Sequence, residues 1–203
     1  AVGGWSVGLA LGAGLVVAMV TVYQPVLRAR IELSGADAAM AVGQFDQERL
    51  RLEAACRADP WSALAHRRLA ARRLADYQQQ SQASVLQLFE LANDNAIALA
   101  PERSTLWSQS GAWYATLYDM TGVDAHLDRA RADLHRAIAL YPHRAALYAE
   151  LARVLWRAKD TPAGNEAARR AIELDDIQRA AGHTDRALDD SIRNELLQGL
   201  TSN

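Results

Sequence analysis

The chain has 203 residues, 22 basic and 24 acidic side chains and a formal net charge of −2, so no global field draws nucleic acid or an anionic surface. A single cysteine, Cys56, excludes an internal disulfide, and only five prolines and twelve glycines interrupt a composition rich in alanine, leucine and arginine. All but one of the basic residues are arginine, the exception being Lys159.

In chain order the first feature is an apolar run, Trp5 to Tyr23, with no charge before Arg28. As a helix it would span about 28 Å, close to a hydrocarbon core of about 30 Å. Trp5 and Tyr23 stand at its two ends, where amphipathic rings favour the interface, and Pro25 is expected to close the helix. No basic stretch precedes the run and no small-residue cleavage site comes after it, which speaks against a signal peptide. Gly4, Gly8 and Gly12 fall on one helix face at spacing four and suit close packing against other membrane helices. Arg28 and Arg30 stand just beyond the span, so the positive-inside rule puts the remainder of the chain in the cytoplasm, at a bacterial inner membrane.

Beyond residue 27 the sequence repeats. Pro60, Pro101 and Pro142 lie 41 residues apart, twice, each after an apolar helix end (AACRADP, AIALAP, AIALYP), and AIELDD continues the series 34 residues on. Alanine recurs in phase at Ala55, Ala96, Ala137 and Ala171. Six residues after each proline stand His66, Trp107 and Tyr148; ten after, Ala70, Gly111 and Ala152, small residues that let two helices cross closely. The expected organisation is a transmembrane helix over 1–27, a linker and first, partial repeat over 28–60, repeats over 61–101, 102–142 and 143–176, and a capping helix and tail over 177–203. The seven extra residues of the two long units are expected in longer helices or in loops near QQQSQAS (78–84) and DMTGVDAH (119–126). Thr184 can cap the last helix, with Leu188, Ile192, Leu196 and Leu200 along one side.

Trp107, Gly111 and Tyr114 have the W-x3-G-x2-Y spacing of a tetratricopeptide first helix, and Gly43 and Phe45 stand where that family has its turn glycine and first aromatic. The chain therefore resembles tetratricopeptide-repeat domains. The resemblance implies an all-α fold in which antiparallel helix pairs stack as a solenoid, and it implies burial of Trp107. Glu48 departs from the pattern, which usually has alanine there. The layout also resembles the C-terminal tail of bacterial O-antigen ligase-related membrane proteins: a last membrane helix, Q-P, a short basic stretch, then repeats containing DPWSALAHRRLA, YPHRAALYAELA and HTDRALDD. Glycan transfer in those proteins belongs to a membrane part absent from this chain, so no catalytic residue is carried over.

Candidate chemistry is sparse. No histidine pair has metal-ligand spacing, and neither a metal, a cofactor nor a catalytic site is expected. Cys56 is expected as a small buried hydrophobe and His66 as a packed structural residue. Asp175, Asp176, Asp185, Asp189 and Asp190 are expected as a solvated face. Arg67, Arg68, Arg72 and Arg73 form the densest basic cluster, either solvated or paired on a helix surface, or engaged with headgroups or an acidic partner. Carried over by phase, first helices would line a concave groove through Arg67, Thr105, Ser108, Ala112, Arg153, Trp156 and Arg157, mildly basic and suited to an acidic or C-terminal carboxylate peptide. The expected function is a membrane-tethered protein-interaction scaffold. Its partners would be protein, bilayer and other membrane helices, with no nucleic acid. The alternative is a free-standing single-span assembly factor or co-chaperone.

Overall fold

A computed structural model describes residues 19–183 and 186–202. The expectations placed on residues 1–18, including most of the spanning helix and the packing stripe Gly4, Gly8 and Gly12, lie outside the described residues, as does a cap at Thr184. Among the described residues no helix is long and apolar enough to cross a membrane. These residues are helical throughout, joined by short turns, with no strand among them.

A π-helical turn, Met19–Tyr23, runs straight into α1, Gln24–Ala41. Pro25 therefore opens a helix and does not close one. It sits in the first turn of α1, directly after the π-helical turn. Next come α2 (Phe45–Ala58), α3 (Ala63–Gln80), α4 (Ala83–Leu99), α5 (Ser104–Thr121), α6 (Asp124–Leu140), α7 (Ala145–Arg157), α8 (Thr161–Ala180) and α9 (Asp190–Ser202). The chain forms two compact units, Ala1–Leu99 and Ala100–Asn203.

In the first unit α1 pairs with α2 and α3 with α4, and α2 also meets α3. The α1–α2 hairpin runs from Gln24 to Ala58. Its core joins Leu33, Ala36, Leu52, Ala55 and Ala65, with Cys56 and Leu69 against them. Burial, then the nearby Glu53 carboxylate, pushes the Cys56 thiol up to about 11, which leaves it protonated and unreactive at neutral pH. In the second unit α5 pairs with α6 and α7 with α8; α7 also packs on α6 and α5, and α9 lies on α8 and α7. The four phased alanines, Ala55, Ala96, Ala137 and Ala171, are all buried where helices touch. Gly111 sits at a close crossing of α5 and α6: a Cβ there would lie 2.8 Å from Leu134 Cγ and 3.1 Å from the Ala130 carbonyl oxygen.

The extra residues of the long units went into helix and not into loop. α3 and α5 each run 18 residues where α7 runs 13, and the connections are two-residue turns at Ser81–Gln82 and Gly122–Val123. Each first helix stops on a left-handed residue, Ser81 at φ 50° and Gly122 at φ 67°, whose N–H returns to the Tyr77 or Tyr118 carbonyl at 2.8 Å. Serine is strained in that conformation and glycine is not. Ser81→Gly should therefore raise stability by about 0.5–1 kcal/mol, read as a higher midpoint in a thermal melt.

The aromatic position after each proline is half-buried, which corrects full burial of Trp107. Its Nε1 donates to the Pro101 carbonyl oxygen at 2.8 Å, and His66 Nε2 lies 3.2 Å from the Pro60 carbonyl oxygen in the same relation. These rings tie the proline turn to the helix it opens, so their edge must stay near the surface. The basic cluster holds the first unit together. Arg68 pairs with Asp37 of α1, Arg73 with Glu53 of α2, and buried Arg72 with Asp76 at 2.8 Å and Glu48 at 3.4 Å. Glu48 replaces the usual alanine because Arg72 occupies that crossing and stacks its guanidinium on Phe45 at 4.8 Å.

Candidate interaction site

The expected groove residues divide between the units. Arg67 is half-buried on α3 of the first unit; the others belong to the second. There, α5 and α7 enclose a cleft of about 210 Å³ that brings together Ala112, Arg153 and Arg157 from the expected set, with Thr116, Asp119 and Glu150 beside them. Small side chains at Ala112 and Ala115 leave the space open. Thr105 is exposed at the start of α5 and does not line the cleft. Ser108 reaches it indirectly, its hydroxyl donating to Glu150 Oε2 at 2.8 Å.

Trp156 turns away from this cleft. Its Nε1 donates to Asn165 Oδ1 at 3.0 Å, and its ring fills the space beside Gly164 of α8 and Gly199 of α9, where no Cβ would fit. Glycine at both positions lets one indole join three helices.

Neither arginine of the cleft is free. Arg157 Nε donates to Asp119 Oδ1 at 3.0 Å, and Arg153 Nε to Glu195 Oε1 at 2.8 Å. Sequence reasoning missed these carboxylates. Ser108–Glu150 and Arg153–Glu195 both span 42 residues, and α9 packs on α7 as α7 packs on α5. Arg153 and the neighbouring Glu150 show how differently one wall treats charge. The Arg153 hydrogen bond, opposed by some burial, holds the Glu195 carboxyl below the usual range. Burial pushes Glu150 above it, against the pull of Ser108, Arg144 and Arg153. A raised folded value means that ionisation opposes folding: Glu150's contribution is most favourable below its unfolded value of about 4.3 and falls as pH rises through the folded one. Glu150→Gln keeps the acceptor for Ser108 and removes the charge. It should be at least as stable as the parent at pH 7, with the advantage shrinking toward pH 4 in parallel denaturation curves.

The described acidic residues of the segment 175–190, Asp175, Asp176, Asp189 and Asp190, do not form a uniformly solvated face; Asp185 lies outside the described residues. Asp175 is fully buried and accepts the Leu188 N–H at 2.7 Å, Arg179 Nε at 2.8 Å and Arg193 Nη1 at 2.6 Å. Asp176 and Asp190 pair with Arg193 and Arg179 at the rim. Helix α9 begins at Asp190; Leu188 lies ahead of it, buried, and Leu196 is buried within it. A second cavity in this unit, about 1020 Å³, lies over Tyr148, Leu151 and Leu155 of α7 between Arg131 and His135 of α6 and the flank of α8. Among the described residues no group of three or more His, Cys, Asp or Glu side chains could hold a metal ion.

No protein-family model and no curated protein matches the sequence. Solved structures do. A crystal structure of MamA aligns with a TM-score of 0.60 at 18% identity over 75% of this chain and 81% of that one. TTC0263, described as a thermophilic TPR protein in Thermus thermophilus, gives 0.54 at 16% identity over 85% and 99%. The first TPR of Spaghetti (RPAP3), bound to the HSP90 peptide SRMEEVD, gives 0.52 at 18% identity over 66% and 95%. The fold is that of tetratricopeptide-repeat proteins.

Proposed function

We propose that the chain is a protein-interaction scaffold whose second unit takes an acidic peptide segment in the cleft between α5 and α7. The observation that carries this reading is the pairing of Arg153 and Arg157 with carboxylates that are themselves half-exposed, 52% for Glu195 and 48% for Asp119. Such pairs are worth only about 0–1 kcal/mol each, so an incoming carboxylate exchanges for the internal one at little cost. Ala112 and Ala115 leave room for its backbone. The RPAP3 domain of the same fold holds a peptide ending in Glu-Glu-Val-Asp, which supports a peptide as the ligand class. The test is a titration with labelled SRMEEVD and with its amidated, Glu-to-Gln counterpart. Saturable binding of the acidic form alone, lost in Arg153→Ala/Arg157→Ala and tightened in Asp119→Ala, is expected. Equal binding of both peptides, or none of either, overturns it.

We further propose the membrane setting in which this scaffold works. The uncharged run from Trp5 to Tyr23 supports a tether in a bacterial inner membrane, with Arg28 and Arg30 favouring a cytoplasmic scaffold. The layout of span, basic stretch and repeats supports a non-catalytic tail of an O-antigen ligase-like envelope protein that recruits other assembly factors. Protease accessibility of the repeats in intact and permeabilised spheroplasts tests the side: cleavage in intact spheroplasts contradicts a cytoplasmic location.

A further inference from the structure

One end of the first unit carries exposed aromatic, aliphatic and basic side chains together. Trp61 is 82% exposed, and its backbone N–H is fixed by Asp59 Oδ1 at 3.2 Å, so a defined turn presents the indole to solvent. Two cross-helix pairs give the register. Arg51 Nη1 donates to Glu32 Oε2 at 2.9 Å across the antiparallel α1–α2 hairpin, which brings Ala58 level with the first turns of α1. The Arg68–Asp37 pair ties α3 to α1; five residues back Ala63, the first residue of α3, is level with Glu32, and Trp61 stands in the turn just before it, toward Arg30. Tyr23, Val26 and Leu27 are exposed at that same end, and so are Arg28, Arg30 and Arg57, none of which pairs with a described carboxylate. The acids nearby are engaged elsewhere: Asp59 is turned to the Trp61 N–H, Glu32 pairs with Arg51 and Glu53 with Arg73. Met19–Tyr23, the described end of the apolar run, joins α1 at this end.

An indole with free cations around it suits one environment better than water: the headgroup layer of an anionic bilayer, where the ring leaves water and the arginines meet phosphate. From Gln24 to Arg30 an upright α1 rises about 9 Å and the headgroup layer is roughly 5–7 Å deep on each side, so that level lies about 2–4 Å beyond the layer, a gap an indole side chain spans. We propose that this end of the first unit lies against the headgroups of an anionic bilayer, with Trp61 as its interfacial anchor. The proposal rests on the tether reading above and adds to it a second, peripheral contact that fixes the orientation of the first unit on the surface.

The test uses the full chain labelled with 5-fluorotryptophan in nanodiscs of phosphatidylcholine and phosphatidylglycerol. Trp5→Phe and Trp61→Phe assign the two fluorine resonances. Lipid spin-labelled in the acyl chain should broaden Trp5, and lipid spin-labelled at the headgroup should remove most of the Trp61 intensity. Trp5 broadened with Trp61 untouched overturns the interfacial contact and leaves the tether standing. Both untouched overturns the tether and the contact with it.

Discussion

Gly111→Ala is expected to destabilise the second unit by about 1–3 kcal/mol, although alanine is the better helix former by about 1 kcal/mol. The two terms have opposite sign, which makes the experiment decisive. Propensity acts on α5 alone. The contact acts between α5 and α6, where the new Cβ would meet Leu134 Cγ at 2.8 Å and the Ala130 carbonyl oxygen at 3.1 Å. Leu134 is fully buried and cannot swing into solvent, and the Ala130 carbonyl is fixed by its own helix. The helices must separate, and at interior packing density a separation of a few tenths of an ångström is felt along the whole seam. Adding Leu134→Ala should recover part of the loss, a coupling of roughly 0.5 kcal/mol or more in a double-mutant cycle. Urea unfolding followed by circular dichroism measures both. A Gly111→Ala variant more stable than the parent would mean that α5 and α6 do not cross there.

The second large effect belongs to Asp175. Asp175→Ala is expected to cost about 2–4 kcal/mol and to release α9 before the rest of the unit unfolds. Its loss strands the buried Leu188 N–H, worth about 1–3 kcal/mol by itself, and removes the carboxylate that Arg179 and Arg193 share. Both arginines keep a rim partner, Asp190 and Asp176, which limits the damage. Burial alone would raise the Asp175 carboxyl, but the Leu188 N–H and the two arginines together hold it below the usual range. Its contribution is therefore complete above the unfolded value of about 3.9 and is lost as pH falls through the lower folded one. Hydrogen exchange of α9 amides should show protection in the parent that declines under acid, and little protection at any pH in the variant. Equal protection in both would remove Asp175 as the anchor.

Much of the fold was legible because its determinants repeat. A proline that cannot continue a helix, an alanine where helices touch and a small residue at each crossing recur in phase, and each has one physical meaning at every recurrence. Side-chain partners were harder to read. Asp175 stands in a run of acidic residues, and composition cannot distinguish the buried member from the solvated ones; only α9 folding back on α8 decides it. Trp156 has the phase of a groove residue, yet Gly164 and Gly199 open a slot that takes it out of the cleft. Arg153 and Arg157 look like free cations in one dimension because Glu195 and Asp119 are some forty residues away. Pro25 shows the local ambiguity most plainly, since the same residue ends one helix or begins the next, and sequence alone carries no sign of which.

The claim on which the rest depends is that neighbouring helices close into antiparallel hairpins at defined small-residue crossings. A NOESY spectrum of methyl-labelled protein tests it at three such crossings. Cross-peaks from the Gly111 α protons to the Leu134 methyls are predicted, together with contacts from the Gly164 and Gly199 α protons to the Trp156 ring. Helical amide patterns without those cross-peaks would show helices that form but do not pair in this order, and the cleft between α5 and α7 would go with them.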